Sequence, residues 1–162
     1  MKIRKAQKKD LDEIYKLCLE LFKSEDASSS KVGKFLRKLR LRRVDFKSST
    51  KKELLRELRQ KDSLYLVAEK DGELVGYIRG EIFNVKDPFF KPQKIGYLHA
   101  MVTKKEYRSK GVSNKLYAEM LKWFKKKKCA AVSLEVFATN PAVKVYKKWG
   151  YKIATYKMWK KI

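Results

Sequence analysis

Apolar and basic positions alternate over residues 2–6, which predicts an opening strand. Asp10-Leu-Asp-Glu13 then has the form of a capping box, with Asp10 accepting from free amides and Glu13 reaching back. Leu11, Ile14, Leu17, Cys18 and Leu21 follow at helical spacing, so the predicted helix runs to about Lys23, before a polar break over 24–30. A basic stretch follows, and Thr50-Lys-Lys-Glu53 reads as a second capping box opening a helix with Leu54, Leu55 and Leu58 on one side. The period then changes to two. Residues 64–69 and 73–83 read as strands flanking a Lys70-Asp71-Gly72 turn, Asp87-Pro88 as a loop and 94–103 as another strand. A helix carrying Leu116, Met120, Trp123 and Phe124 follows, then a strand over 131–137. Asn140-Pro141 caps a last helix with Ala142, Val145, Tyr146 and Trp149, which Gly150 ends, and 151–160 reads as a final strand. The expected order is β-α-α-β-β-β-α-β-α-β, an α/β (α+β) fold with a mixed sheet covered by helices. No repeat or long linker interrupts it, so a single domain over 1–162 is expected.

Composition narrows the class. The chain has 162 residues, 44% of them hydrophobic, enough for one packed core. Its net charge of +24 predicts attraction to polyanions: nucleic acid, an anionic membrane surface or a phosphorylated cofactor. No apolar run approaches the ~18 residues of a spanning helix, and the charged start, Met1-Lys-Ile-Arg-Lys, lacks the apolar core of a signal peptide. Two cysteines, Cys18 and Cys129, make neither a disulfide framework nor a cysteine zinc site, and His99 is the single histidine. A metal-free protein of a reducing compartment is expected, cytoplasmic and without membrane attachment.

The segment richest in chemistry is Arg108-Ser109-Lys110-Gly111-Val112-Ser113, between a strand and a helix. Small residues let backbone approach a ligand, and the helix start offers unpaired N–H groups and partial positive charge, which together can cradle a diphosphate. Spacing alone equally describes a basic turn capping a helix.

This segment resembles the Arg/Gln-x-x-Gly-x-Gly/Ala motif of the GCN5-related N-acetyltransferase (GNAT) family, with Ser113 in place of the last Gly/Ala. Leu134-Glu135-Val136-Phe137-Ala138-Thr139-Asn140 resembles the family's fifth strand and terminal asparagine. Asn140-Pro-Ala-Val-Lys-Val-Tyr146-Lys-Lys-Trp-Gly150-Tyr151 resembles the helix that follows, with Tyr151 in place of Phe. The likeness spans nearly the whole chain.

The resemblance implies an acetyl-CoA-dependent transfer to an amine. The coenzyme's diphosphate would rest on 108–113, with Asn140 and Tyr146 also at the cofactor, in a gap splayed between the strand ending at Thr103 and that of 131–137. Its pantetheine arm would pair with backbone of Met101, Val102 and Thr103, whose amides could polarise the thioester carbonyl. Tyr146 matches the family's tyrosine near the sulfur and is the candidate acid; spacing alone reads it as packing with Ala142 and Trp149. His99 is the candidate base, since imidazole titrates near neutrality, and regular alternation would put 97, 99, 101 and 103 on one face. A half-buried, hydrogen-bonded histidine is the plain alternative, and Glu81, Glu135 or bulk water are alternative bases. Neither cysteine has a base beside it, so thiol catalysis is not expected.

Residues 31–59 hold twelve Lys/Arg against Asp45, Glu53 and Glu57, a local charge of +9. They permit a reading of another class: an RNA- or ribosome-binding module on an acetyltransferase-like scaffold, or weak nucleic-acid contact beside catalysis. The plain alternative is a solvated, mobile lid; the resemblance implies a third, that the stretch helps form the acceptor site and sets substrate choice. The expected partners are acetyl-CoA and an amine, small molecule or protein, in a monomer or homodimer.

Overall fold

The computed structural model describes residues 1–86, 88–89 and 91–162. The loop read at Asp87-Pro88 depends on Asp87, which lies outside the described residues. The elements are β1 (Lys2–Lys5), α1 (Leu11–Val32), α2 (Lys34–Lys38), α3 (Phe46–Glu57), β2 (Ser63–Lys70), β3 (Glu73–Val85), β4 (Gln93–Thr103), α4 (Val112–Lys126), β5 (Ala131–Ser133) and α5 (Ala142–Lys148). Single 3-10 turns precede α1 and follow β4. The strands form one sheet in the order β1-β2-β3-β4-β5, antiparallel up to β4 and parallel between β4 and β5, with α4 as the crossover. The mixed α/β architecture is the one expected.

Several boundaries differ from expectation for local reasons. The polar run 24–30 does not end α1. Ser28 and Ser30 donate their hydroxyls to the carbonyls of Ser24 (2.9 Å) and Asp26 (2.8 Å), satisfying them inside the helix. Asp10 does not cap α1 with Glu13. Its Oδ2 accepts from the Gln7 N–H (2.8 Å), and Arg4 grips both its oxygens (2.6 and 2.9 Å), holding its carboxyl below the ordinary range, while Glu13 pairs with Lys16. Thr50 is not a cap either. It sits within α3 and donates to Phe46 O (2.7 Å), while Glu53 pairs with Arg56. The Asp71-Gly72 turn is as read, both residues at positive φ (51° and 81°), as a two-residue hairpin requires.

The final strand expected over 151–160 joins no ladder among the described residues, and Ile153, Tyr156, Met158 and Trp159 stay exposed. Alternation is only a propensity; it becomes a strand when another edge lies opposite.

By its internal contacts the chain divides into two compact units. The first, Met1–Leu21 with Val44–Glu135, holds the sheet. One sheet face is covered by a cluster that includes Ile14 and Leu17 of α1, Leu54 of α3, Tyr65 of β2, Tyr77 of β3 and Val102 of β4. The other face receives α4. A Cβ built on Gly80 would lie 2.6 Å from Met120 Sδ, and one on Gly96 2.6 Å from the Phe124 ring. Glycine at both positions lets α4 lie directly on the strands, with Leu116, Met120 and Phe124 buried against them. The second unit, Phe22–Arg43 with Val136–Ile162, is tied together by Arg40 on Glu25 and Asp26 (2.5 and 3.0 Å) and by Thr139 Oγ1 donating to Ser28 O (2.6 Å).

Candidate active site

β4 carries a bulge at the residue singled out as the base. Gly80 of β3 pairs with Leu98 and Arg79 with Ala100, which leaves His99 without an opposite residue. The alternation of β4 therefore inverts there. Tyr97, paired with Glu81, and His99 lie on the face covered by α1 and α3; so do Ala100 and Val102 beyond the bulge. Met101, paired with Ile78, and Thr103, paired with Gly76, fall on the α4 face. The expectation that 97, 99, 101 and 103 share a face is corrected, because one unpaired residue shifts every later side chain to the opposite side.

The bulge brings His99 into a cluster. Its ring lies 4.6 Å from that of Tyr97 and 6.1 Å from that of Phe83. Its Nε2 approaches Glu81 Oε2 at 2.9 Å, but off the line of a good hydrogen bond, so Nε2 is buried without an aligned partner among the described residues. Glu81 Oε2 also accepts from Arg79 Nη2 (3.0 Å), and the same nitrogen lies 2.7 Å from Glu57 Oε1. Tyr65 donates its hydroxyl to the other oxygen of Glu57. Burial and the Arg79 charge push the imidazole below its ordinary value of 6.5 against the opposing pull of Glu81. Burial raises the Glu57 carboxyl and, with Glu57 beside it, the Tyr65 phenol.

Past the bulge the sheet opens. β5 pairs with β4 only over Ile95↔Ala131, Gly96↔Val132 and Tyr97↔Ser133. It is shorter than the expected 131–137: the ladder stops at Tyr97, two residues before the bulge, where β4 changes its alternation. Residues 98 and 100–103 pair with β3 on one edge, and 98–103 have no ladder partner on the other among the described residues. At their end, Thr103 Oγ1 is buried without a hydrogen-bond partner among the described residues.

The loop from β4 to α4 follows at once. Arg108 Nε donates to Thr103 O (3.2 Å), and Tyr107 OH and Lys104 Nζ bind Glu73 (3.0 and 2.6 Å), pinning the loop to β3 and β4. Ser109 and Gly111 both have positive φ (59° and 77°), and Gly111 is the residue before α4. A Cβ on Gly111 would meet nothing within 4 Å, so what glycine supplies there is the left-handed backbone. Lys115 N donates to Gly111 O (3.2 Å) at the head of α4, and the amides of Val112 and Ser113 before it have no acceptor within the helix. No acidic residue stands in that turn. The amides, the helix dipole and the Arg108 and Lys110 charges fit a polyphosphate; the free β4 edge with its unpartnered threonine fits an extended amide-bearing arm.

Asn140 and Tyr146 belong to the second unit. Asn140 caps α5, its Oδ1 accepting from the Ala142 N–H (2.9 Å), and Gly150 ends the helix at φ 87°, both as expected. Tyr146 stacks edge-on with Trp149 and Tyr151. Its hydroxyl has no hydrogen-bond partner among the described residues, and burial, aided by Glu25, pushes its proton affinity up to about 12. Burial also raises the Cys129 thiol, leaving it a poor nucleophile. Within the basic stretch, Lys51 pairs with Asp12, Arg56 with Glu53, Arg40 with Glu25 and Asp26, and Arg42 with Asp26, so these four of its twelve basic side chains meet carboxylates.

Sequence reasoning missed Arg79, Glu57 and Tyr65. One signal was present: Arg79 and Glu81 stand two apart in an otherwise apolar strand, so two opposite charges share one covered face.

Residues 32–151 match the model of the acetyltransferase (GNAT) family. An uncharacterized N-acetyltransferase of Archaeoglobus fulgidus is 29% identical over 143 residues, 86% of this chain and 84% of that protein. An N-alpha-acetyltransferase of Sulfurisphaera tokodaii is 34% identical over 100 residues, 59% of this chain and 60% of that protein. Among solved structures, aminoglycoside N-acetyltransferase AAC(6')-Iy in complex with CoA superposes with a TM-score of 0.70 at 16% identity, covering 99% of this chain and 98% of that one.

Proposed function

The chain belongs to the acetyltransferase (GNAT) family, and from that premise we propose that it moves the acetyl group of acetyl-CoA by direct attack of a primary amine, acting as one domain in the cytoplasm. The observation that carries this reading is the loop at the start of α4: left-handed at Gly111, free of acids, and directly continuous with the unpaired edge of β4. Residues 108–113 hold the diphosphate, and backbone of Met101, Val102 and Thr103 receives the arm. Acetyl-CoA supplies the activated thioester.

The chain's own residues manage two protons. An amine arrives as an ammonium and must lose one; His99, kept neutral at pH 7, takes it, directly or through water. A C–N bond then forms as the C–S bond breaks; the nitrogen sheds a further proton as it becomes an amide, which restores the donor, and the departing thiolate needs a proton. Tyr146, still protonated far above neutrality, provides it, with Asn140 fixing the start of its helix. The acceptor class is an amine; a protein N-terminus ranks first for testing, because a relative carries N-alpha-acetyltransferase in its name.

Acetyl-CoA is expected to bind saturably and raise the melting temperature, as any ligand of the native state must, and a panel of amines is expected to release free thiol. Millimolar acetyl-CoA with neither a shift nor binding would overturn the reading.

A further inference from the structure

The charged cluster under the β4 bulge costs more than packing requires. Arg79 and Glu57 are 13% and 10% exposed at the side chain, and taking each charge out of water carries a desolvation cost that their pairing must offset. An apolar pair of the same volume would serve the core equally well. What the cluster adds is geometry at one atom. A single guanidinium nitrogen, Arg79 Nη2, reaches Glu57 Oε1 and Glu81 Oε2, and Glu81 Oε2 in turn stands 2.9 Å from His99 Nε2. Tyr65, on the far oxygen of Glu57, stops that carboxylate from turning away.

We propose that Arg79 is a positioning residue for proton transfer at His99: clamped by Glu57, it fixes Glu81 against the imidazole and sets the charge the ring meets. The inference rests on His99 as the base. The groups facing the ring are Arg79 and Glu81 from β3, Tyr97 from β4, and behind them Glu57 from α3 and Tyr65 from β2. Arg79 opposes a proton on the ring and Glu81 favours one. Neither charge acts alone, because both are held in one hydrogen-bonded chain. The unaligned Nε2 marks the side of the ring on which that chain ends.

His99 is the only histidine in the sequence, so one imidazole resonance titrated by NMR reads this site in the free protein, with no substrate present. Arg79→Gln is expected to raise the His99 midpoint by about one pH unit, tenfold in proton affinity, and Arg79→Lys to restore part of the difference. Glu57→Gln keeps the shape of the clamp and is expected to lower the midpoint, which preserves the test if Arg79→Gln fails to fold. In turnover, the acid limb of kcat/KM is expected to move to higher pH with Arg79→Gln by the same amount, with the plateau at high pH retained. A midpoint unmoved in these variants overturns the role of Arg79 and leaves His99 as base untouched. A midpoint that moves while the acid limb stays fixed shows that His99 is not the base, and both claims fall.

Discussion

Tyr146 is a single side chain with two calls on it, packing and proton donation. Its ring meets Trp149 and Tyr151, whereas its hydroxyl meets no hydrogen-bond partner among the described residues. The two roles therefore separate in one substitution. Tyr146→Phe keeps the ring contacts, so the melting temperature should hold and acetyl-CoA affinity should change little. Turnover should drop about a hundredfold, the lower range for loss of a general acid, read as kcat at saturating substrates. An unchanged kcat would remove the acid role.

Elements were legible where one local rule decided them. The Asp71-Gly72 hairpin, the Asn140 cap and the glycine stop at Gly150 each needed only a few adjacent residues. The serine run of α1 misled because hydroxyls that suit a turn also bond back within a helix. The bulge at His99 left no local mark at all: it is set by the register of β3 against β4, a long-range property. For the same reason the local form of the 108–113 turn was legible, whereas of the charge cluster beneath β4 only the Arg79/Glu81 spacing left a trace; its members come from α3, β2, β3 and β4. The closeness of α4 to the sheet also belongs to this scale. Gly96→Ala would drive a methyl into the Phe124 ring, and overpacking of this kind costs about 1–3 kcal/mol, measurable by urea denaturation. Wild-type stability in that variant would mean that α4 shifts freely on the strands.

For the whole molecule the governing quantity is the charge of +24. On the proposed function, an anionic coenzyme approaches through a field that acts over about 8 Å at physiological ionic strength, and the α4 amides are the groups proposed to hold it at contact. Raising salt from 50 to 500 mM should weaken acetyl-CoA binding roughly fivefold by calorimetry, through slower capture more than faster loss. Salt-independent binding would assign the grip to the amides alone.

The two sheet glycines under α4 have a bearing on how such a protein can change. Phe124 packs where those glycines leave room, and the turn proposed to hold the diphosphate is at the opposite end of the same helix. A mutation that swells or hollows the interior there displaces the helix and carries the turn with it. On the proposed function, coenzyme affinity and interior packing are inherited together, and variation in acceptor choice has its freest ground in segments that α4 does not touch.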